Sequence, residues 1–500
     1  MKLSEEQTRA LELFKGGSNL FISGPGGTGK TELIKQFVNE ASKPIQVCAM
    51  TGCAALLLKC GAKTIHSWSG IKLGNKTIEE TCNDVAKSRY YGKSWRKTGI
   101  LIVDEVSMMS RKVFDLLNAV GKRLRRSDKP FGGMQVVMVG DFYQLPPVAT
   151  GEDDPESAQF CFQSEHWDMT FAPSEHILLN TVFRQSDPLY KNILLQIREG
   201  ELDEEGEAEL RKRLLESDVP RVKIFPRKNS VERENQRMYD AIDKEHPGYT
   251  YAVQVYKTLD AVNGEPFDAS MRYRCKLMTD VQREIEIKSL LNSAPIQHLL
   301  PLKKGSRVMC VKNIDLKKGI CNGSQGTVIS FDMSPAAAES NTPPDPVVKF
   351  DNGLIMKIER NCWQSEFFPS VGIGQYPLIW AWAITVHKVQ GTTLDAATVD
   401  IGSHVFEYGQ TYVALSRIRS LEGLFLTGFD PTKIRANPIV KEFYSTCTDT
   451  SKVRPPEPAH AEPPKPKKTR KPNVKLISLN TGRNKITDFW NAQTVKDMQD

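Results

Sequence analysis

A glycine-rich run near the start of the chain has the residue types and spacing of a phosphate-binding loop. It consists of Gly24, Pro25, Gly26, Gly27, Thr28, Gly29, Lys30 and Thr31, directly after an apolar strand-like run. Glycines let backbone N–H groups turn inward around phosphates at the start of a helix. Lys30 is expected to reach the β and γ phosphates, and the Thr31 hydroxyl to bind Mg²⁺. The alternative is a glycine loop that arises by chance. The position of the run between a strand and a helix favours a phosphate-binding loop instead, and so predicts binding of ATP with Mg²⁺.

Two carboxylates follow the apolar run 100–103 and supply the second half of a hydrolytic site. Asp104 is expected to hold Mg²⁺ and Glu105 to polarise the attacking water. The alternative is a core strand that merely ends in exposed acids. Gln144 lies just past another apolar run, 135–139, and is expected to sense the γ-phosphate.

The elements that must position these residues form two series. From residue 19 to about 140, short apolar strands alternate with longer amphipathic helices, which is typical of a parallel sheet covered by helices. A second series begins at 176–180 and 223–226 and resumes after 377. Between its parts, 300–375 contains short runs separated by turn residues, which favours an inserted, SH3-like antiparallel β-barrel. The sequence therefore predicts an α/β fold with two sheet domains.

Composition and charge limit the classes to which the protein can belong. The chain has 500 residues, 40% of them hydrophobic and 25% charged, with ten scattered cysteines and no pair at zinc spacing. No apolar run is long enough for a membrane helix, so we expect an intracellular protein with reduced thiols. The formal charge is +7, and 451–500 holds eleven Lys/Arg against five Asp/Glu, or +6, which leaves +1 for the rest. The net charge of 1–450 is too small to attract a polyanion. If this part of the chain binds nucleic acid, it must do so through a local groove with stacking aromatic residues.

At the level of whole motifs, the sequence resembles the superfamily-one helicases. Ser4–Gln7 is similar to the adenine-reading segment of that family, and Phe183–Gln185 to its arginine motif. Pro377–Gly391 and Gly409–Arg417 are similar to its two late motifs. The segment 113–134, ending in Pro-Phe-Gly-Gly before Gly140-Asp141-Phe142, resembles the segment that separates PIF-type helicases from RecD-type ones. Leu302–Gly305, Val308-Met309 and Asn322–Gly326 also resemble the PIF pattern.

The resemblance implies a fold, an activity and site residues. It implies two tandem RecA-like domains, 1–175 and 176–299 continued by 376–445, with the barrel at 300–375, a short wedge at about 67–97 and a disordered tail at 446–500. It implies ATP-driven 5′→3′ movement on single-stranded DNA, with Arg184 and Arg417 stabilising the γ-phosphate. The further nucleotide residues are Gln7, Gln390 and Gly391. The DNA-contacting candidates are Thr51, Gly52, His66, Trp68, Thr385, His387 and Lys388.

Several alternatives remain open at this level. Trp68 is either a base-stacking or a packed aromatic residue, and the basic run 87–97 either lines the fork or is a solvated face. A RecD-type or RNA-directed motor would carry the same ATP-hydrolysing residues. An ATP-gated scaffold would bind DNA without unwinding it, although it would have no need of both arginines and Glu105. The task in replication, recombination, repair or removal of folded G-rich DNA stays undetermined.

The end of the chain carries one apolar cluster after a basic, proline-rich stretch. Ile486, Phe489 and Trp490 fall on one side of a helical turn. The spacing resembles the peptide box that binds the sliding clamp PCNA, although Arg483 replaces the usual glutamine. The alternative is a terminal helix that docks on the protein itself. The basic run 465–471 is a candidate nuclear address or extra DNA contact, and a nuclear or viral replication site is expected.

Overall fold

The structure contains two parallel sheets and an antiparallel insertion. The computed structural model describes residues 3–447 except 59, 72–76, 150–153, 186, 215–220, 244, 246–247, 263–264, 313, 316–317, 321–322, 334–342 and 366–367. Its strands are β1 (Leu20–Ser23), β2 (Ile45–Ala49), β3 (Lys63–Thr64), β4 (Ile100–Asp104), β5 (Gln135–Val139), β6 (His176–Leu178), β7 (Lys223–Phe225), β8 (Gly248–Ala252), β9 (Gln254–Tyr256), β10 (Ala261–Val262), β11 (Glu265–Pro266), β12 (Leu299–Lys303), β13 (Arg307–Cys310), β14 (Gln325–Asp332), β15 (Asp345–Phe350), β16 (Ile355–Lys357), β17 (Asn361–Gln364), β18 (Gly372–Gln375), β19 (Leu378–Trp380), β20 (Ala383–Thr385), β21 (Ala397–Ile401) and β22 (Leu424–Phe429).

Helices surround these strands. They are α1 (Glu5–Gly16), α2 (Lys30–Glu40), α3 (Gly52–Leu58), α4 (Ile65–Ser69), α5 (Ile78–Lys87), α6 (Arg89–Lys97), α7 (Arg111–Arg125), α8 (Trp167–Thr170), α9 (Pro188–Glu199), α10 (Glu204–Arg211), α11 (Lys228–Asp240), α12 (Ala269–Lys276), α13 (Asp280–Ser293), α14 (Val386–Val389), α15 (Gln410–Leu415) and α16 (Pro438–Thr446). Among the residues described, none of these helices combines the length and apolar character needed to cross a bilayer.

The first sheet is parallel throughout, in the order β3-β2-β4-β5-β1-β6. Strands β1, β4 and β5 are buried along their whole length, which explains why they read as unbroken apolar runs. The prediction that 176–180 opens the second series is wrong, because β6 pairs with β1 of the first sheet. A three-residue edge strand carries too little pattern to reveal which sheet it joins.

The second parallel sheet has the order β20-β7-β21-β22. The edge strand β20 pairs in parallel with β7, although 157 residues lie between Phe225 and Ala383 in sequence. The intervening insertion is wider than the predicted 300–375, because β8 pairs with β12 and β9 with β18. Its five-stranded antiparallel sheet has the order β16-β15-β14-β13-β19. The predicted fold class is confirmed, with α/β sheets of RecA-like type and an antiparallel insertion between α11 and β20.

The segment 111–134 forms a rigid support beside the first sheet. Helix α7 starts at the Ser110 cap, and the tight turn after it has Phe131 and Gly132 in left-handed conformations. The Asn118 amide oxygen accepts a hydrogen bond from the Phe131 N–H at 2.9 Å. Arg125 donates to the carbonyls of Gly132, Trp95 and Thr98. The segment therefore holds α6, part of the predicted wedge, against the sheet.

The last described helix, α16, crosses back to the first sheet. Val440 is fully buried in the core around Phe21 and Phe142, and the Phe443 ring lies 5.5 Å from that of Phe142. The predicted assignment of 376–445 to the second domain is therefore wrong for this helix. Its apolar face indicated burial but not which sheet it would cover.

Candidate functional site

The glycine-rich loop connects β1 to α2 and adopts the conformation that its glycines permit. Gly24, Gly27 and Gly29 have φ values of 152°, 88° and 81°, a region that side chains with a Cβ rarely adopt. A Cβ on Gly27 would lie 2.5 Å from the Cβ of Arg184. The loop is therefore closely covered by the segment that carries Arg184, and only glycine fits at that contact.

Lys30 lies folded against the loop that it is expected to serve. Its Nζ donates to the carbonyl oxygens of Gly24 at 2.6 Å and Pro25 at 3.0 Å. Burial lowers the pKa of Lys30, while the charges of Asp141, Glu105 and Asp104 oppose that effect. A nucleotide phosphate would offer this ammonium group a stronger, charged acceptor than the two carbonyls.

The two predicted carboxylates stand at the carboxyl end of β4. Glu105 has φ 57° and ψ 43°, a strained conformation for a residue with a side chain. Its N–H donates to Asp104 Oδ1 at 2.9 Å, and its Oε2 accepts from Gln390 Nε2 at 3.0 Å. Burial, and then the Glu105 charge, raise the pKa of Asp104 to about 7. Asp104 therefore lacks a cation strong enough to hold it fully ionised at neutral pH.

The donor set fits Mg²⁺ with a bound nucleotide. Asp104 supplies a carboxylate and Thr31, which is exposed at the start of α2, supplies a hydroxyl, and Mg²⁺ prefers such oxygen ligands together with phosphates and water. Within the described ranges, no group of three or more His, Cys, Asp or Glu side chains is placed to hold a metal by itself.

Arg184 packs against the glycine-rich loop, and Arg417 of the second domain contacts Gln144 of the first. Arg417 donates to the Val413 carbonyl at 3.0 Å and to Gln144 Oε1 at 3.3 Å. Arg184 donates to the Ser416 carbonyl at 3.1 Å. Burial lowers the pKa of Arg417. Burial, and then the charge of Arg417, lower the pKa of Arg184 to about 10. Two buried cations beside each other form a site suited to an anion with several charges.

Other residues around the loop were partly missed by the sequence reasoning. The Gly26 N–H donates to Tyr412 Oη at 2.7 Å, so a second-domain hydroxyl occupies one loop donor. Gln7 donates to the Thr28 carbonyl at 3.1 Å and lies at the predicted place. Phe183 is 43% exposed, and its ring lies 3.8 Å from where a Gly29 Cβ would be. An exposed ring in this position can stack on a nucleotide base.

A buried ion pair behind the site also went unpredicted. Arg198 of α9 donates to both carboxylate oxygens of Asp141, at 3.0 Å and 2.9 Å. Helix α9 begins after the Asp187 cap and ends before Gly200, which has a left-handed conformation. Arg198 therefore lies in the last turn of the helix. Since α9 covers the second sheet and Asp141 follows β5, the pair joins the two domains. Nothing local in the sequence indicates that these residues meet.

The DNA-contacting candidates of the first domain divide into two groups. Thr51 and Gly52 follow β2 at the start of α3, where Gly52 is exposed and Thr51 Oγ1 caps the helix through Ala54. His66 is half-buried, and burial lowers its pKa. Trp68 is only 3% exposed, with its ring 4.6 Å from that of Trp95. The prediction that Trp68 stacks on a base is therefore wrong, because core packing hides both of its faces.

The second-domain candidates lie at the end of β20. Thr385 is its last residue, and His387 and Lys388 are exposed on α14. Lys388 lines a small cavity of about 30 Å³ together with Leu57 of α3 and Met309 of β13. That cavity therefore adjoins both domains and the insertion. Gly391 has φ 80°, and a Cβ there would lie 2.9 Å from Leu57 Cδ1, so it packs against α3. The clamp-box residues Ile486, Phe489 and Trp490 lie outside the described residues.

Comparison with known protein families gives two matches. The family described as "PIF1-like helicase" matches residues 2–208. The one described as "DNA helicase Pif1, 2B domain" matches residues 287–331, which fall within the insertion between α11 and β20.

Individual relatives extend the similarity over most of the chain. The Danio rerio protein named ATP-dependent DNA helicase PIF1 is 35% identical over 450 residues, 89% of this chain. This chain spans 64% of that relative's length. The Bdellovibrio bacteriovorus protein named ATP-dependent DNA helicase Pif1 is 33% identical over 448 residues, covering 89% of this chain and 92% of the relative. The crystal structure of the Candida albicans Pif1 helicase superposes with a TM-score of 0.73 at 30% identity, covering 90% of this chain and all of that one.

Proposed function

The chain belongs to the PIF1-like helicase family, and from that premise we propose that it is an ATP-dependent DNA helicase. It moves 5′→3′ along single-stranded DNA and unwinds duplex DNA. The observation that carries this proposal is a pair of contacts from the second domain to the first: Arg417 donates to Gln144, and Gln390 donates to Glu105. Hydrolysis there depends on closure of the two domains, because the arginines come from one domain and the loop from the other. A motor needs that dependence, since it converts a chemical step into domain movement.

Each site residue has a proposed role in ATP hydrolysis. Lys30 binds the β and γ phosphates, Glu105 orients the attacking water, and Gln144 senses the γ-phosphate. Arg184 and Arg417 stabilise the charge that develops on the transferred phosphate, a contribution worth about 10³–10⁵ in rate in related enzymes. Bound Mg²⁺, held by Thr31 and Asp104, supplies neutralisation of the phosphate charge. Gln7 and Phe183 are placed to hold the base, and Gln390 to position Glu105.

Single-stranded DNA is proposed to cross the carboxyl ends of both sheets. Thr51 and Gly52 follow β2, Thr385 ends β20, and His387 and Lys388 lie on α14 directly after it. Hydroxyls, backbone amides and an exposed lysine suit phosphate oxygens. Trp68 is not included in this surface, because it lies in the core.

Strand displacement on tailed duplexes tests the proposal. A duplex with a 5′ single-stranded tail is expected to be opened in the presence of ATP and Mg²⁺, and one with only a 3′ tail is not. Preference for the 3′ tail, or for RNA, would replace the assignment with a motor of other polarity or substrate. DNA binding without ATP-driven unwinding of any tailed substrate would favour an ATP-gated scaffold. A folded G-rich substrate alongside plain duplex tests the preferred DNA structure.

For the carboxyl-terminal segment we propose binding to a PCNA-type sliding clamp. Ile486, Phe489 and Trp490 provide the apolar anchors, and such motifs are common in basic, proline-rich tails. A peptide of residues 478–500 titrated into PCNA by calorimetry is expected to bind, and its Ile486→Ala/Phe489→Ala version is not. Equal results for both peptides would refute the proposal. A fluorescent protein fused to 451–500 tests the proposed nuclear address at 465–471, and diffuse distribution would refute it.

A further inference from the structure

The hydroxyl of Tyr444 joins the two first-domain loops that surround the nucleotide phosphates. Tyr444 Oη lies 2.5 Å from the Oγ of Ser23, the residue before Gly24, and accepts from the Phe142 N–H at 3.0 Å. We infer that Tyr444 is a positioning residue for ATP hydrolysis, setting the glycine-rich loop and the Gln144 loop at a fixed separation. The inference rests on the proposed ATPase function and extends it to a helix at the far end of the chain.

Both partners of this hydroxyl lie close in sequence to proposed phosphate contacts. Ser23 is fully buried at the end of β1 and leads directly into the loop. Phe142 stands between Asp141 and Gln144, whose N–H donates to the Asp141 carbonyl at 2.8 Å. A shift of the hydroxyl would therefore move the loop amides and the γ-phosphate sensor relative to each other. Misplacement of reacting groups by about 1 Å can cost a factor of about 100 in rate.

The ring that carries the hydroxyl is held by a stacked tyrosine and a neighbouring guanidinium group. Tyr143 stacks on it with ring centroids 5.0 Å apart and planes 8° apart. The Arg198 guanidinium lies 5.4 Å from the Tyr444 centroid and 4.4 Å from that of Tyr143. Phe443, the preceding residue, packs on Phe162 at 4.2 Å. The Tyr444 side chain thus has little freedom, which a positioning role requires.

The hydroxyl stays neutral over the working pH range. Burial, and then the charge of Asp141, raise the pKa of Tyr444 well above its ordinary value, while Arg198 opposes this. The hydroxyl therefore keeps both the proton that it shares with Ser23 and the lone pair that accepts from Phe142. Deprotonation plays no part in its action.

Replacement of Tyr444 by phenylalanine tests the inference, because the ring stays and only the hydroxyl is lost. DNA-stimulated ATP hydrolysis by the full chain is measured as kcat and KM, with thermal unfolding recorded in parallel. We expect kcat to fall about tenfold or more, with KM for ATP changed less than about twofold. Ser445→Ala is the matched control, since this exposed hydroxyl on the same helix only donates to the Glu442 carbonyl. Its kinetics should equal those of the wild type.

A second variant separates positioning from general stability. Ser23→Ala removes one partner of the same hydroxyl, so the Ser23→Ala/Tyr444→Phe double variant should lose no more kcat than Tyr444→Phe alone. Multiplicative losses would show that the two act independently and would overturn the inference. So would a lowered Tm with unchanged kcat well below the transition. Absence of ATP hydrolysis in the wild-type chain would instead refute the proposed function itself.

Discussion

Removal of Arg198 is expected to leave a fully buried carboxylate without its counter-charge. The side chain of Asp141 is 0% exposed and that of Arg198 is 10% exposed. Two short hydrogen bonds join them, from Nε and Nη2, at 3.0 Å and 2.9 Å. Loss of one partner of such a buried pair costs about 3–5 kcal/mol, because the remaining charge stays desolvated. Arg198→Met should therefore lower the free energy of unfolding by about 3–5 kcal/mol.

Urea unfolding followed by circular dichroism measures this change. Arg211→Met is the control, because Arg211 on the neighbouring helix α10 pairs with Glu207 in an exposed position and should cost at most about 1 kcal/mol. Asp141→Asn completes a double-mutant cycle with Arg198→Met, which isolates the energy of the pair. Since the pair joins the two domains, its loss should also split a single unfolding transition into two.

Two results would refute this reasoning. A loss from Arg198→Met no larger than that from Arg211→Met would mean that water or another cation compensates Asp141. A coupling energy below about 0.5 kcal/mol in the cycle would mean that the two side chains act independently. Either outcome would remove the pair as a link between the domains.

Four further outcomes are expected. Lys30→Ala and Glu105→Gln should abolish DNA-stimulated ATP hydrolysis with circular dichroism unchanged, because each removes a charge used in the reaction rather than in packing. Arg417→Ala should retain ATP binding, measured by calorimetry, while hydrolysis falls by about 10³ or more. Because burial raises the pKa of Asp104 from 3.8 to about 7, the folded state holds the proton more tightly than the unfolded state. The stability of the metal-free protein should therefore fall as pH rises from about 4 to about 7, whereas apparent Mg²⁺ affinity with nucleotide should rise from about pH 6 to about pH 8; Asp104→Asn should abolish both trends. Trp68→Ala should cost about 3–5 kcal/mol of stability and leave single-stranded DNA affinity, measured by fluorescence anisotropy on folded protein, unchanged.

Local sequence signals were sufficient for the nucleotide loop and for the acidic strand end. The residues from Gly24 to Thr31 are sufficient to specify the turn and the start of α2. Asp104 and Glu105 stand at the end of β4, which is buried and therefore appears in the sequence as an apolar run. The strands of the insertion were also predictable between 307 and 357, where short β runs alternate with turns. In these places backbone conformation is decided by residues close in sequence.

The remaining features depend on contacts between distant parts of the chain. Nothing near Asp141 indicates that its partner is Arg198, and nothing in α16 indicates that it covers the first sheet. Strand β8 could not be assigned to the insertion because its partner, β12, lies beyond two helices. Trp68 has the same local sequence whether it stacks on a base or packs on Trp95. Such questions are decided by tertiary packing, which a single sequence does not display.

Three groups of the proposed ATP site have protein partners in this structure. Lys30 donates to carbonyls of its own loop, the Gly26 N–H is taken by Tyr412, and Glu105 is held by Gln390. Bound ATP would offer phosphate oxygens to Lys30 and to the Gly26 N–H in place of these acceptors, whereas Glu105 serves the attacking water. Tyr412 and Gln390 both belong to the second domain. Their contacts with the loop and with Glu105 therefore make the ATP site sensitive to the position of that domain, a coupling that a translocating motor needs.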